Sequence, residues 1–375
     1  MKKVLFLIES LSNGGAEKVL STIVKHLDKT VFEVTIVVLT LTGPYVNNVR
    51  EACRVLSPAT DPQKRNLFNT FFYKAKCKLL YSLPAKWVSR WAIREPYDVE
   101  IAFVEGYATK LIAMSPNLNA KKLAWVHCDM VQNPHADIHY INIEDHKATY
   151  QCFNTIFCVS QGVKESFQKK FGNIGNTRVQ YNPVDEDEIR KKALFPMSVK
   201  KKCLTFISIG RFVEEKGYLR LIHILNNIFQ KGLRFEFWFV GSGPLEKEAI
   251  TLVKSLKLDK TIHFWGFQDN PYPFLSAADA LVCSSFSEGF STVASEAVVL
   301  HKPILTTNCA GMFEIFGNEK CGIICQNSEE GIQNMLTTIV EQQFLLSLYE
   351  KNTMNRAIFF RFRDRIKELE EILSQ

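Results

Sequence analysis

Residues 204–240 read LTFISIGRFVEEKGYLRLIHILNNIFQKGLRFEFWFV, and this stretch decides the fold. An apolar run at 204–209 leads into a helical pattern over 216–229, and a second apolar run follows at 235–240. Neither run alternates apolar with polar residues. Each therefore suits a strand covered on both faces, as in a parallel sheet. Strand, helix, strand is the repeating unit of α/β domains. Further apolar runs at 261–265, 280–283 and 303–306 extend the same sheet.

The pattern has already run once upstream. Apolar runs stand at 4–8, 34–39, 99–103, 123–126 and 155–159, with helix-like stretches such as 16–27 and 162–171. Between the two series lie Asn182-Pro183-Val184-Asp185, a charged helical stretch, Phe195-Pro196 and Lys200-Lys201-Lys202. Proline beside a charge run reads as a hinge, placed near residue 198. The expected architecture is α/β: two doubly wound, Rossmann-like domains, 1–198 and 199–355, with parallel sheets facing a central cleft. A last helix-like stretch, 356–375, can pack back across the hinge. Ligands of such sheets bind beyond the carboxyl ends of the strands, so informative residues should follow strands.

Composition agrees. A chain of 375 residues suits two domains. Apolar residues at 46% and charged residues at 23% exclude disordered and fibrous classes. No window reaches the ~18 apolar residues that span a bilayer. The run at 4–8 stops at Glu9, short of the apolar core of a signal peptide, so a soluble or peripheral protein is expected. The ten cysteines form no CxxC pair, and Cys321 and Cys325 have no histidine nearby, a poor zinc pattern. Free thiols in a reducing cytosol are the expected state. The net charge of +7 permits an anionic partner without naming one.

Five places carry candidate chemistry. Asn13-Gly14-Gly15-Ala16-Glu17 follows the first apolar run. Its glycines let backbone approach a ligand, although such a turn serves equally as a plain tight turn. It is not GxGxxG, which disfavours a dinucleotide. Gly210-Arg211 and Glu214-Glu215-Lys216-Gly217 set two cations five residues apart across a turn, suited to a diphosphate leaving group. Gly241-Ser242-Gly243-Pro244 offers a second close-approach loop. Glu288-Gly289-Phe290-Ser291-Thr292-Val293-Ala294-Ser295-Glu296 is the most specific. Ser291 or Thr292 can cap a helix whose amides at Thr292 and Val293 bind phosphate. Glu296 can grip a ribose and Glu288 a sugar, or both acids can simply complement a helix start. Last, Trp125-Val126-His127 places His127 at a strand end, where a structural histidine is as reasonable as a site residue.

At these residues the chain resembles the family-4 (group 1) retaining glycosyltransferases of the GT-B fold. The resemblance covers nearly the whole chain. It rests on Gly-Gly-Ala-Glu at 14–17, Trp-Val-His at 125–127, Asn-Pro-Val-Asp at 182–185, Gly-Arg…Lys-Gly at 210–217, Gly-Ser-Gly-Pro at 241–244 and Glu-x7-Glu at 288–296. It implies that Arg211 and Lys216 hold the donor diphosphate and Glu296 the nucleotide ribose. Glu288, Gly289 and Phe290 would contact the transferred sugar, and Thr292 and Val293 the phosphates. In the first, acceptor-binding domain, Gly15 would lie near the donor phosphate and the acceptor, and His127, counted with the catalytic residues, beside the donor sugar and the acceptor. Gly210, Gly241, Gly243 and Ser291 would complete the donor pocket. Anomeric configuration would be kept without an enzymic nucleophile, the departing diphosphate taking the acceptor proton. Asp185-Glu186-Asp187 resembles a metal-binding DxD, but its hinge context implies no required metal and no cofactor.

From Lys64 to Arg94 there are eight basic residues and no acid, interleaved with Phe68, Phe71, Phe72, Tyr73, Tyr81, Trp87 and Trp91. Pro84 is expected to split the segment into two helices, with Phe68, Phe72, Ala75 and Leu79 forming an apolar stripe. Either the helices pack on the first domain, or they bind an anionic membrane beside a lipid-linked acceptor. Nucleic acid is not expected, because no binding motif accompanies the charge. The expected activity is transfer from a nucleotide sugar, UDP before GDP, to a glycan acceptor in surface polysaccharide synthesis, at the cytoplasmic face of the plasma membrane. Two rivals are a nucleotide-sugar epimerase of the same fold and a non-catalytic carbohydrate- or nucleotide-binding subunit of a transferase complex. The Glu-x7-Glu element opposes the first. Intact Arg211, Lys216, Glu288 and Glu296 oppose the second.

Overall fold

The apolar runs form strands. In the computed structural model, which describes residues 1–12, 14–60, 67–197, 199 and 201–375, they are β1 (Lys2–Ile8), β2 (Phe32–Val38), β3 (Thr40–Leu41), β4 (Arg54–Leu56), β5 (Ala59–Thr60), β6 (Val99–Ala102), β7 (Lys121–Val126), β8 (Thr155–Cys158), β9 (Thr177–Val179), β10 (Thr205–Ile209), β11 (Glu236–Val240), β12 (Ile262–Phe264), β13 (Ala280–Cys283), β14 (Ile304–Thr307) and β15 (Gly322–Cys325). Two large sheets result. The first runs β4-β2-β1-β6-β7-β8-β9 and the second β12-β11-β10-β13-β14-β15, with a separate β3-β5 pair. Every pairing is parallel. In each large sheet the order reverses beside the first strand, β1 or β10. All carboxyl ends of a parallel sheet lie on one edge, and this reversal opens a crevice there.

The chain divides into two compact units, residues 1–183 with 363–375, and residues 184–362. In the first, Val4, Leu5, Phe6 and Leu7 of β1 are fully buried, as strands covered on both faces must be. Helix Gly15–His26 covers one face through Val19, Leu20, Ile23 and Val24, a spacing that repeats each turn. In the second unit, helix Tyr218–Gln230 buries Leu221, Ile222, Leu225 and Ile228 against Phe206, Phe237 and Phe239 of β10 and β11. Burying a side chain of this size stabilises the fold by about 1.5–3 kcal/mol.

The division falls at Pro183–Val184 rather than near residue 198. Helix Glu186–Ala193 packs on helices Tyr272–Ala277 and Thr292–Val299, and so belongs to the second unit. Asp185 caps it, accepting from Glu188 N at 2.9 Å, and Glu186 Oε2 accepts from Phe362 N at 3.0 Å. Ser198 and Lys200, at the expected hinge, lie outside the described residues. The last helix is Phe362–Ser374, beginning later than 356 because Ala357–Phe360 forms a 3-10 turn with Ala357 and Phe360 buried. This helix lies in the first unit. Its carbonyls at Ser374 and Ile372 accept from Lys2 Nζ at 2.9 Å and Lys121 Nζ at 2.8 Å, and Leu369 and Leu373 are buried.

Candidate functional site

The second unit's site is built by two loops on neighbouring strands. After β10 the chain runs through Gly210 and the exposed Arg211 into a 3-10 turn, Glu214–Lys216. Gly217 then starts helix Tyr218–Gln230 at φ +64°, where a Cβ would come 2.5 Å from Ser284 O. Both facts demand glycine. After β13 come Ser284, Ser285, Phe286, Ser287 and Glu288. The loops are tied together: Ser284 Oγ donates to Lys216 O at 2.8 Å, and Phe286 N to Glu215 O at 2.8 Å.

These bonds bring Lys216 Nζ to 2.6 Å from Glu288 Oε1, which also accepts from Ser285 Oγ at 2.7 Å. Burial works against the Lys216 charge, but the Glu288 carboxylate outweighs it and holds the ammonium above its ordinary range. Arg211 stands near enough to oppose it slightly. Lys216 is thus a fixed cation. In the sequence it stands only as one of a pair with Arg211; the ion pair with Glu288 is a finding of the fold. Gly241 follows β11 at φ +138°, where a Cβ would meet Gly210 O at 2.0 Å, so its bare backbone abuts the Gly210 turn. A Cβ on Gly243 would come 2.6 Å from the backbone N and O of Phe212.

Glu288 leads through Gly289 and Phe290 to helix Thr292–Val299, with Ser291 at the N-cap. Ser291 makes no capping bond, contrary to the sequence reading. Its buried hydroxyl lies beside the Cys283 thiol instead. The Ser291 side chain therefore leaves the first amides, which include Thr292 and Val293, without a cap of its own. Glu296 is the fifth residue of this helix and is 4% exposed. A carboxylate so buried needs groups that donate hydrogen bonds to it.

In the first unit, Gly14 is the N-cap of helix Gly15–His26, and Gly15 its exposed first residue. His127 directly follows β7. Its ring lies against Phe103, centroids 5.0 Å apart, and is stacked with Trp125 at 12°. Its Nε2 is buried with no partner. Burial pulls its pKa down against the Glu105 charge, so the ring is neutral at neutral pH. Glu105 Oε2 accepts from His127 N at 3.0 Å. Glu9, just past β1, accepts from Tyr81 OH at 3.0 Å, and burial raises its pKa.

Several residues escaped sequence reasoning. Asn327 Nδ2 donates to Phe286 O at 2.9 Å, and Thr307 Oγ1 to Ser285 O at 2.7 Å. Arg220 donates to Ser284 O at 2.7 Å and to Asn327 Oδ1 at 3.0 Å, and its guanidinium lies 3.8 Å above the Phe286 ring. Together they clamp the loop that carries Glu288. The one available signal was position, since Thr307 and Asn327 stand at or just past the ends of β14 and β15. Glu105, two residues past Phe103, carried the same signal. Of the DxD-like acids, Asp185 and Glu186 hold backbone amides, as described above.

The basic segment forms helices Leu67–Ser82 and Ala85–Ala92, separated at Pro84. Phe71, Phe72, Leu79, Tyr81 and Trp87 are exposed, as are Lys74, Lys76, Lys78, Lys86 and Arg90. The stripe of Phe72, Ala75 and Leu79 thus faces outward, and Leu80 is the buried anchor. Lys64, Arg65 and the Phe68 side chain lie outside what is described. Among the described residues no helix is long and apolar enough to cross a membrane.

The two units correspond to two family descriptions. Glycosyltransferase Family 4 matches residues 13–188, and glycosyl transferases group 1 matches residues 186–356. The chain belongs to the group 1 glycosyltransferases. Across 98% of its length it is 25% identical to the N-acetylgalactosamine-N,N'-diacetylbacillosaminyl-diphospho-undecaprenol 4-alpha-N-acetylgalactosaminyltransferase of Campylobacter jejuni, covering 97% of that protein. Anabaena HepE, solved with UDP and glucose, superposes with a TM-score of 0.74 at 19% identity, each chain covered in full. Sucrose-phosphate synthase from Thermosynechococcus elongatus gives 0.77 at 15% identity, covering 100% of this chain and 99% of the other. These likenesses establish the GT-B fold, with two Rossmann-like domains.

Proposed function

We propose that this glycosyltransferase moves a sugar from a UDP-sugar to a lipid-linked glycan acceptor, with retention, during surface polysaccharide synthesis. The observation that carries the reading is the Lys216–Glu288 pair at 2.6 Å, held by two loops beyond β10 and β13. Lys216 and Arg211 stabilise the charge that grows on the departing diphosphate. Glu288, Gly289 and Phe290 hold the sugar, the amides of Thr292 and Val293 the phosphates, and Glu296 the ribose. Gly210, Gly241, Gly243 and Ser291 shape the pocket. The bond from the anomeric carbon to diphosphate breaks, and the acceptor oxygen bonds to that carbon on the same face. The acceptor proton passes to the diphosphate. Gly15 and the unpartnered Nε2 of His127 serve the acceptor side in this scheme, and no metal is required.

The acceptor class draws support from the Campylobacter jejuni relative, whose name specifies a diphospho-undecaprenol acceptor. The donor class draws it from HepE, solved with UDP and glucose. A lipid-linked acceptor places the enzyme peripherally on the cytoplasmic face. There the exposed Phe71, Phe72 and Trp87 with Lys74, Lys76 and Lys78 suit anionic lipid. The test is a panel of nucleotide sugars read by melting temperature, followed by UDP release with and without an undecaprenyl-diphosphate-linked acceptor. The proposal expects one UDP-sugar to raise the melting temperature and UDP to be released only with acceptor. Release that ignores acceptor, or activity lost to EDTA and restored by manganese, overturns it.

A further inference from the structure

We infer that the first unit carries a separate site for a zinc-class divalent cation, formed by Glu105, Cys128 and His135. The inference rests on the first unit alone and does not depend on the transfer chemistry proposed above. Glu105 follows β6 and Cys128 follows the adjacent strand β7, so their loops are neighbours. His135 opens the 3-10 turn His135–His139. One donor atom from each of the three lies within 4.8 Å of the other two. Glu105 Oε1 stands 3.6 Å from His135 Nε2, and Cys128 Sγ 4.0 Å from the same ring at Nδ1.

The surroundings favour coordination. Asn133 Oδ1 lies 3.3 Å from His135 Nδ1. Accepting the proton there leaves the Nε2 lone pair turned toward Glu105, the outer arrangement that metal-binding histidines use. Glu105 Oε2 is occupied by the His127 amide, which leaves Oε1 on the His135 side. Tetrahedral ligation at ~2.0–2.3 Å needs donor separations of roughly 3.3–3.8 Å. With separations of up to 4.8 Å, the site must therefore contract by at most about 1.5 Å on that geometry. The His135 side chain, 52% exposed, is free enough to make that move. One sulfur, one imidazole nitrogen and one carboxylate oxygen suit zinc or cobalt. They do not suit magnesium or calcium, which take oxygen. On binding, the Cys128 S–H bond breaks, a sulfur–metal bond forms and the proton goes to solvent. A fourth position is left for water.

Cobalt(II) titrated into chelator-washed, reduced full-length protein tests this. The expected result is one equivalent bound, with a thiolate-to-cobalt charge-transfer band and intense tetrahedral d–d bands, both abolished by zinc. Cys128→Ser should remove the charge-transfer band. His135→Ala and Asn133→Ala, changes at partly exposed positions, should each weaken binding by about tenfold or more. Cys152→Ser, at an exposed cysteine elsewhere, should change nothing. Zinc should raise the melting temperature of the unmodified protein and not of His135→Ala. Absence of the bands in the unmodified protein, or the same bands in both Cys128→Ser and His135→Ala, overturns the inference.

Discussion

The carboxyl edges of the two sheets share a topology and differ in chemistry. In the second unit the loops after β10 and β13 are fastened to each other, and the group they present, Lys216, is held charged by Glu288. In the first unit the groups at the same edge are titratable and shielded: His127 is held neutral by burial, and burial raises Glu9. A fixed cation suits an anion such as diphosphate. A neutral imidazole with an unpartnered nitrogen suits hydroxyls. One fold thus presents two kinds of chemistry because the residues just past the strands differ, not the sheets.

That comparison can be broken at several points. The largest effect is expected from Lys216→Ala, which should lower kcat/KM by about 10²–10³-fold, the usual loss when one charge-stabilising group goes. A loss under about tenfold would mean the fixed cation is not what the second unit contributes. Glu296→Ala should weaken donor binding by about 1.5–3 kcal/mol, as for a lost hydrogen bond to a charged group, read by calorimetry. Unchanged affinity removes the ribose assignment. Asn327→Ala touches only the clamp. It should destabilise the second unit by about 1–3 kcal/mol and raise the donor KM more than it lowers kcat.

Acid should separate the units. His146 in the first unit is buried, bonded to Asp137 at 3.0 Å and stacked 3.6 Å from Tyr140. Burial takes its pKa from 6.5 down to about 4. As the pH falls, the unfolded chain takes up this proton first. Its contribution is therefore present above pH 6.5 and lost between there and about 4. The slope is up to about 1.4 kcal/mol per pH unit. Hydrogen exchange should show helix Ile143–Gln151 losing protection over that range before β13, and His146→Gln should flatten the difference. The smallest effect is at the basic helices: Lys76→Gln should weaken binding to anionic vesicles by about 1 kcal/mol at low salt.

Much of the fold was legible because long apolar runs leave few alternatives. The runs at 4–8 and 280–283 are strands whose carboxyl ends fall at the expected residues. The short edge strands β4, β9 and β15 were not legible, since three- and four-residue pairings depend on the neighbour that is already there. In the site, glycines and charged residues at loop starts announced themselves. The clamp of Arg220, Thr307 and Asn327 did not, because its bonds go to backbone carbonyls, which any sequence supplies. Nor did Lys216–Glu288, a pairing 72 residues apart in the chain that exists only once β10 and β13 are neighbours.

The return of the final helix has a consequence for biosynthesis. Residues 184–362 form one uninterrupted stretch of chain, so that unit can fold without a segment from elsewhere in the sequence. The first unit cannot. Lys2, Asp28 and Lys121 wait for partners at Ser374, Glu370 and Ile372, which are made after the whole second unit. The half made first is completed last. A chain cut short before residue 363 would carry every residue of the second unit and a first sheet still missing its covering helix. Quality-control proteases would then find their opening at the amino-terminal half.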